Sequence, residues 1–146
     1  QQEATRELDL VSLLESLCDD YADTGQPVIC LAQGKQVYAC RANTLRRVLQ
    51  NLIGNAIKYA GGAEVSLERT DSELVIRVCD QGPGIDEAHR QSITEPFRRL
   101  DQRYGGSGLG LSIVQRILQL HRGKLALENG AEGGLIASCW LPSTLE

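Results

Sequence analysis

Three polar side chains lie close together on a stretch that otherwise has the pattern of a buried helix. At about 100° per residue, Asn51, Asn55 and Lys58 fall within about 60° of one another, beside the apolar arc of that helix. An amide oxygen is a suitable neutral ligand for Mg²⁺, which takes further oxygens from water and phosphates, and an ammonium group neutralises phosphate charge. A solvated helix edge would carry the same residue types. The stripe therefore has two interpretations, a metal and phosphate site or an ordinary exposed edge.

A carboxylate stands at a sharp turn, CDQGPGID at residues 79–86, directly after a strand-like run. The Gly-Pro-Gly segment at 82–84 lets the backbone approach a ligand closely, because two of its residues have no Cβ. Asp80 could accept a hydrogen bond from an exocyclic amine, which adenine offers and guanine replaces with a carbonyl oxygen. The same residues would also fit a plain turn capped by Asp80, followed by a short helix capped by Asp86.

A glycine cluster, GGSGLGLSIV at residues 105–114, opens a further predicted helix. Glycines before a helix leave free N–H groups that can wrap phosphate oxygens, and the helix dipole favours an anion there. No Gly-Lys-Ser/Thr follows, which excludes the P-loop pattern, and no apolar strand precedes it, which excludes the dinucleotide fingerprint. The cluster therefore predicts a phosphate-binding loop of another kind.

The segment before the glycine cluster is basic, with Arg98, Arg99 and Arg103 between Pro96 and Gly105. A solvated charged loop would have this composition. A mobile basic loop is also what a lid over a triphosphate requires.

The composition limits the classes of partner. The chain has 146 residues, the size of one domain, and its 15 Lys and Arg against 19 Asp and Glu give a net charge of -4. With no long run of either sign, we expect no bulk attraction to nucleic acid and no direct membrane contact. There is no bilayer-spanning apolar run and no signal sequence, so we expect a soluble chain. The sequence begins without an initiator Met and has no Met anywhere, so we also expect a fragment of a longer protein.

The cysteines do not form a recognisable framework. They are odd in number, scattered and without a C-x-x-C pair, which favours reduced packing residues over disulfides or a zinc site. The five are Cys18, Cys30, Cys40, Cys79 and Cys139.

The spacing of apolar residues predicts the helices and strands that would position these side chains. Helices are predicted over 8–21, over 43–60 with Asn43 as N-cap and Gly61-Gly62 at the end, and over 108–120. Hairpins are predicted for 27–33 with 36–40, for 63–70 with 73–80, and for a final strand pair, 124–128 with 135–142. The expected fold is α+β, a two-layer sandwich in which about three helices cover one face of a mixed, mostly antiparallel sheet.

The motifs described above also follow one another in a characteristic order and spacing. NLIGNAIKY, DQGPGI, EPFRRL and GGSGLGLSIV together resemble the N, G1, F and G2 boxes of the catalytic ATP-binding domain of bacterial sensor histidine kinases, over essentially the whole chain. The resemblance implies a Bergerat (GHKL-type) fold across residues 1–146, with ATP or ADP as ligand and Mg²⁺ as cofactor.

The resemblance also implies roles for individual residues. Asn55 would ligate Mg²⁺, Lys58 would contact phosphate, Asp80 would hold the adenine amine, and Arg99 would reach the terminal phosphate. Asn55, Lys58 and Arg99 are thus the expected catalytic residues. The other expected nucleotide-binding residues are Asn51, Tyr59, Gly82, Gly84, Ile85, Phe97, Gly106, Ser107, Gly108, Leu109 and Gly110.

One position departs from the wider superfamily. Relatives of the gyrase, Hsp90 and MutL type generally carry Glu one helical turn before the metal-binding Asn, where this chain has Asn51. An amide cannot take a proton from water as a carboxylate does. Transfer to another nucleophile is therefore favoured over hydrolysis.

That nucleophile is not evident in the chain. Neither His89 nor His121 stands in an H-[ED]-x-x-[TP]-like phosphoacceptor context. The resemblance implies transfer to a histidine on a separate dimerisation domain of the same protein, with residues 1–8 a candidate trailing end of its helix. It also implies a response regulator downstream and a cytoplasmic location beside an inner-membrane anchor. Two alternatives stay open, an anti-sigma-type serine kinase and a degenerate nucleotide-binding module without kinase activity.

Overall fold

The computed structural model describes residues 4–80, 109–130 and 133–143. The elements in these ranges are β1 (Arg6–Asp9), α1 (Leu10–Asp23), β2 (Val28–Cys30), β3 (Val37–Cys40), α2 (Ala42–Ala60), β4 (Ala63–Arg69), β5 (Glu73–Cys79), α3 (Leu109–Leu120), β6 (Lys124–Asn129) and β7 (Leu135–Pro142).

The helix ends follow from local chemistry. α1 begins behind Asp9, whose carboxylate accepts a hydrogen bond from the Val11 N–H at 3.1 Å and so satisfies a free donor of the first turn. α2 ends at Gly61, whose φ of 79° is the left-handed conformation that glycine adopts without strain. α3 is closed by Arg122, with a φ of 62°, and by the Gly123 N–H, which donates to the Leu118 carbonyl at 2.7 Å.

Five strands form the main sheet, in the order β2-β4-β5-β7-β6. β2 runs parallel to β4, and the other pairs are antiparallel. On the central strand β5 the buried residues Leu74, Ile76 and Val78 alternate toward the helices, as the side-chain period of two requires. The opposite face of the sheet carries Trp140, whose ring lies 5.8 Å from the Arg77 guanidinium.

The three helices in the described ranges cover the first of these faces and close a single apolar core. The fold class predicted from the sequence is confirmed, because the layers, the mixed sheet and its mostly antiparallel pairing are all present. The β4–β5 and β6–β7 hairpins are confirmed as well.

A small second sheet, β1 with β3, lies at the end of the main sheet where β5 begins. The Tyr38 hydroxyl donates to the Pro142 carbonyl at 2.7 Å, and Pro142 pairs with the first residue of β5, Glu73. The Arg69 guanidinium donates to the Val37 and Ser143 carbonyls, each at 2.7 Å, and so bonds both sheets. β1 therefore lies at the end of the sheet opposite the last residues of β5.

The predicted hairpin of residues 27–33 with 36–40 is wrong. β2 pairs with β4, and the Leu31 N–H continues that ladder to the Val65 carbonyl at 2.8 Å. β3 pairs instead with β1, where the Gln36 N–H donates to the Asp9 carboxylate at 2.9 Å. β2 and β3 thus pair with strands that are distant in the sequence, and not with each other across Gly34-Lys35.

Two helix boundaries also differ from expectation. Residue 8 belongs to strand β1, so a helix preceding the domain would end before Arg6. Asn43 is not the N-cap of α2, which begins one residue earlier behind Arg41. The Nη1 atom of Arg41 donates to Nε2 of His121 at 2.8 Å. This nitrogen is an acceptor because the Nδ1–H of the same imidazole ring donates to the Ile117 carbonyl at 2.7 Å.

Candidate nucleotide-binding site

Helix α2 presents the polar stripe predicted from its sequence. Asn51 and Asn55 are half-buried and Lys58 is exposed, so the stripe runs from the helix border toward solvent. Lys58 lies in the last turn, where a cation also interacts favourably with the helix dipole. That interaction is a structural role which Lys58 would have with or without a ligand.

The end of α2 is held against the sheet by two glycines. Gly61 reverses the chain, and a Cβ on Gly62 would lie only 2.6 Å from the Pro27 carbonyl oxygen. The Ala63 N–H donates to that same carbonyl at 3.1 Å. Glycine at position 62 is therefore needed for the close packing that fixes the polar stripe relative to β2 and β4.

Asp80 is fixed from the opposite side by strand β7. It follows β5 directly, and its own N–H donates to the Leu135 carbonyl at 3.0 Å. The Leu135 N–H in turn donates to Oδ1 of Asp80 at 3.1 Å. Asp80 is only 5% exposed, so this buried carboxylate has one oxygen held by backbone and a fixed orientation.

The structure brings Asn55 and Asp80 together. Both line one narrow cavity, which is otherwise apolar and closed by residues of α2, α3 and the sheet: Leu52, Ala56, Val78, Leu111, Leu127, Leu135 and Ala137. Asn51 and Lys58 lie on the same helix, but neither belongs to the described residues that line this cavity. The cavity is the junction of the second helix, the helix after the glycine cluster and the strand end that carries Asp80.

Among the described residues, one buried side-chain nitrogen of this junction has no hydrogen-bond partner. The Asn55 Nδ2 is buried and has no hydrogen-bond partner within the described ranges. Buried amides are nearly always hydrogen-bonded, so an unpaired one identifies a position where a further group fits. The Asn55 amide can offer a ligand one oxygen and two N–H donors.

The thiol next to Asp80 is unsuited to nucleophilic chemistry. Burial raises the pKa of Cys79, and the nearby Glu64 carboxylate raises it further. Because only a thiolate is a strong nucleophile, Cys79 remains a neutral thiol at physiological pH. A covalent cysteine mechanism at this junction is therefore disfavoured, while non-covalent binding is not affected.

Much of the predicted site lies outside the described residues. Leu109 and Gly110 are described as the first backbone positions of α3, which confirms that a helix follows the glycine cluster. The side chain of Tyr59 is not described. The predicted site residues outside the described ranges are Gly82, Gly84, Ile85, Phe97, Arg99, Gly106, Ser107 and Gly108.

Sequence reasoning did not identify the backbone clamp on Asp80. Leu135 is 55 residues away in the chain, and its contribution is an N–H and a carbonyl rather than a side chain. Its only signal is the alternating apolar run that predicts β7, and such a run does not reveal the neighbouring strand. Leu111 and Leu127 were likewise recognisable as apolar, but not as walls of this cavity.

The two-layer sandwich thus has a fixed carboxylate at a central strand end and, on a helix beside it, an amide whose Nδ2 has no hydrogen-bond partner among the described residues. Residues 40–145 match the family described as histidine kinase-, DNA gyrase B-, and HSP90-like ATPase. The chain belongs to this family.

The relatives narrow the assignment. The chain is 37% identical over 140 residues to the sensor histidine kinase GtrS of Pseudomonas aeruginosa, a match that covers 96% of this chain and 29% of that protein. The crystal structure of the ATP-binding domain of PrrB from Mycobacterium tuberculosis superposes with a TM-score of 0.80 at 27% identity, covering 96% of this chain and 98% of that one. The catalytic domain of histidine kinase ThkA has the same fold, with a TM-score of 0.84 at 24% identity, over 97% of this chain and 99% of that one.

These comparisons identify the chain as an ATP-binding catalytic domain of the sensor histidine kinase type. They favour that interpretation over the serine kinase and the degenerate module. The chain spans less than a third of the length of the GtrS relative. Within the part of the chain that the structure describes, no helix has the length and hydrophobicity needed to cross a membrane.

Proposed function

We propose that the chain binds Mg²⁺-ATP at the Asn55–Asp80 junction and transfers the γ-phosphoryl group to a histidine on a separate dimerisation domain of the same protein. The observation that supports this proposal most directly is the unpaired, buried amide of Asn55 beside the fixed carboxylate of Asp80. Both residues stand in the sequence boxes whose spacing predicts them.

Asp80 is suited to selecting adenine. The Leu135 N–H restrains its Oδ1 and hence the plane of the carboxylate. A carboxylate held in this way accepts a hydrogen bond from the adenine amine, whereas the guanine carbonyl would face it as a second acceptor. Because Asp80 is buried, that mismatch would not be relieved by water.

Asn55 fits a metal and phosphate role. A hard cation such as Mg²⁺ prefers oxygen ligands and keeps several waters, so a single amide oxygen from the protein is a plausible share of its coordination. The Nδ2 atom, which has no partner among the described residues, would then donate to a phosphate oxygen. When bound, the metal would neutralise charge on the triphosphate.

Lys58 and Asn51 complete the contribution of α2. Lys58 is exposed, so its ammonium group can approach phosphate oxygens from solvent. Asn51 occupies the position of a hydrolytic carboxylate, and its amide does not accept a proton from water. We therefore expect slow ATP hydrolysis and a bound nucleotide that persists until an acceptor arrives.

The remaining parts of the mechanism rest on the resemblance. Arg99 would stabilise charge on the terminal phosphate, and the glycine cluster at 105–110 would hold the phosphates through its backbone N–H groups. The acceptor histidine, a downstream response regulator and a cytoplasmic position beside an inner-membrane anchor are proposals of the same kind. Phosphoryl transfer depends mainly on positioning and charge stabilisation, so this division between two domains is chemically sufficient.

Titration calorimetry of the chain with ATP, ADP and GTP, with and without Mg²⁺, tests the binding half of the proposal. We expect adenine-selective binding, and loss of the Mg²⁺-dependent part of the affinity in Asn55→Ala. Asn43→Ala is the matched control, because Asn43 is an exposed amide in the first turn of the same helix. Equal ATP affinity for Asn55→Ala and the parent chain would refute the role of Asn55.

The transfer half requires the full-length protein and labelled ATP. We expect phosphate on a histidine, recognised because a phosphoramidate is labile in acid and stable in base, and no label in the Asn55→Ala protein. A label that survives acid would instead support a serine kinase. Nucleotide binding without any label would support the degenerate module.

A further inference from the structure

A single peptide group joins the β6–β7 turn to Asp80. The Gly134 carbonyl accepts a hydrogen bond from the Gly130 N–H at 3.0 Å, and the Leu135 N–H donates to Oδ1 of Asp80 at 3.1 Å. This carbonyl and the Leu135 N–H belong to the same trans peptide, so they are coplanar and point in opposite directions. The plane of the Gly134–Leu135 peptide is therefore held at both ends.

The side chain of Asp80 accepts a hydrogen bond that a backbone carbonyl normally accepts. Cys79 and Ile136 are paired between β5 and β7, so Asp80 lies opposite Leu135. Two opposite residues in a hydrogen-bonded antiparallel pair exchange both of their backbone bonds. Here the Asp80 N–H donates to the Leu135 carbonyl at 3.0 Å, but the return bond from the Leu135 N–H goes to the Asp80 carboxylate. The direction of one backbone N–H thus restrains the position of a carboxylate oxygen.

We propose that the Gly134–Leu135 peptide sets the adenine selectivity of Asp80, with Gly134 as the positioning residue. This inference rests on the proposed function, because the adenine amine must bind at Asp80 for its orientation to matter. Gly134 acts through the orientation of the carboxylate and not through contact with the nucleotide.

The conformation of the turn favours glycine at position 134. Gly134 has a φ of 82°, a left-handed conformation that residues with a Cβ rarely adopt. The Gly133 N–H donates to the Gly130 carbonyl at 3.1 Å, so hydrogen bonds close the turn next to the peptide. A Cβ on Gly130 would lie only 2.6 Å from the Gly133 carbonyl oxygen. Alanine at 134 would therefore be strained, and relief of that strain would rotate the peptide plane and carry the Leu135 N–H away from Oδ1.

Orientation matters at Asp80 because the site is buried. Asp80 is 5% exposed, and Gly134 and Leu135 are buried as well, so water has little access to replace a lost bond. A carboxylate released from the Leu135 N–H could turn about its side-chain bonds, and its free oxygen would then fit the adenine amine less well. The Leu135 side chain also lines the cavity that Asp80 shares with Asn55. A change confined to the backbone therefore tests the role of the N–H better than a change of the Leu135 side chain.

The alternative is that these hydrogen bonds only close the β6–β7 turn. That interpretation predicts that loss of the Leu135 bond lowers the stability of the chain and changes the affinities for ATP and GTP equally. Selectivity between the two nucleotides therefore separates a positioning role from a purely structural one.

The experiment measures the ATP and GTP affinities of the chain by calorimetry with Mg²⁺, in the parent and in three variants. Gly134→Ala perturbs the peptide plane. Gly34→Ala is the control for backbone strain, because Gly34 has a similar φ of 84°, has no described atom within 4 Å of an added Cβ, and lies between β2 and β3. The third variant, called the ester variant, carries the α-hydroxy acid analogue of leucine at position 135. It replaces the N–H donor with an oxygen and keeps the side chain.

We expect the ratio of ATP to GTP affinity to fall about tenfold in Gly134→Ala and in the ester variant. The selectivity depends on a hydrogen bond to a charged acceptor, and loss of such a bond changes an affinity by about tenfold or more. Gly34→Ala should melt at a lower temperature than the parent chain and keep the parent ratio. Hydrogen exchange at the Leu135 amide, followed by NMR without nucleotide, should be slow in the parent chain and faster in Gly134→Ala.

An unchanged ratio in the ester variant, with a parent chain that selects ATP, would overturn this inference and leave the proposed function intact. An equal loss of selectivity in Gly34→Ala would also overturn it, because general strain would then explain the effect. Fast exchange of the Leu135 amide in the folded parent chain would contradict the hydrogen bond itself. A parent chain that prefers neither nucleotide would refute both this inference and the adenine role of Asp80. If Gly134→Ala does not fold, the ester variant decides, because it adds no side-chain atom.

Discussion

Replacement of Asp80 by asparagine separates the recognition role of this carboxylate from its structural role. Oδ1 of this side chain accepts the Leu135 N–H at 3.1 Å, and Asp80 lines the junction that it shares with Asn55. Asparagine keeps an oxygen for Leu135 but has an NH₂ group in place of the second oxygen. Alanine would instead leave the Leu135 N–H without its side-chain acceptor at a site that is 95% buried.

The size of the effect follows from the hydrogen bond that changes. A hydrogen bond to a charged acceptor contributes about 1.5–3 kcal/mol, so Asp80→Asn should weaken ATP binding by about 10- to 150-fold. The new NH₂ group would oppose the adenine amine but could donate to the guanine carbonyl. GTP binding should therefore weaken less than ATP binding, or improve.

Calorimetry with both nucleotides, together with thermal melting of each variant, tests this reasoning. Asp71→Asn is the matched control, since Asp71 is an exposed carboxylate in the β4–β5 turn at the far end of β5. The melting temperature of Asp80→Asn should stay within a few degrees of the parent value. ATP affinity within twofold of the parent chain, in a variant that melts normally, would refute the adenine assignment.

Four further predictions concern the scaffold. Gly62→Ala should lower the free energy of unfolding by about 1–3 kcal/mol, since its Cβ would meet the Pro27 carbonyl at 2.6 Å. Gly54→Ala, in α2 with no atom within 4 Å of its added Cβ, should raise that free energy by about 0.5–1 kcal/mol in the same urea titration. Arg69→Met should cost about 1–3 kcal/mol in urea through loss of the bonds to Val37 and Ser143, while Arg47→Met on the exposed face of α2 should cost little. The Gln36 N–H, with Ser12 and Val11, lowers the pKa of Asp9 in the folded chain. A lowered pKa contributes stability above the unfolded value of about 3.9, and that stability is lost as pH falls through the folded value. The difference in melting temperature between the parent chain and Asp9→Asn should therefore narrow on acidification below about pH 4, and a constant difference would contradict the assigned cause.

The fold was predictable wherever the signal is local. The β4–β5 hairpin follows from alternating apolar residues on both sides of Asp71-Ser72, and α2 follows from its apolar period and the glycine at its end. The partners of β2 and β3 were not predictable in this way. Gly34-Lys35 resembles a hairpin turn, but the hydrogen bonds of β2 go to Val65 and those of β3 to β1, and no local pattern encodes these partners.

In the candidate site, too, the local helix pattern was predictable from the sequence and the tertiary contacts were not. Helical spacing places Asn51, Asn55 and Lys58 on one face, and the structure has them there. The contact of Asn55 with the cavity beside Asp80 depends on the packing of α2 against β5, and the clamp on Asp80 depends on the β5–β7 ladder. Residue types and spacing could therefore predict which face of α2 carries the polar groups, while the meeting of Asn55 with Asp80, the fixed carboxylate and the amide without a partner among the described residues emerged only from the tertiary structure.

The position of β1 determines how a preceding domain could be tethered. β1 lies at the end of the sheet where β5 begins, and Asp80 comes seven residues after the first residue of β5, Glu73. At about 3.3 Å per strand residue, a segment arriving through β1 therefore starts about 20 Å from Asp80. A histidine on such a segment would not be held in contact with the nucleotide. It would be present at an effective concentration set by the length and stiffness of the linker before β1. Changes in that linker would then alter the rate of phosphoryl transfer without altering nucleotide affinity.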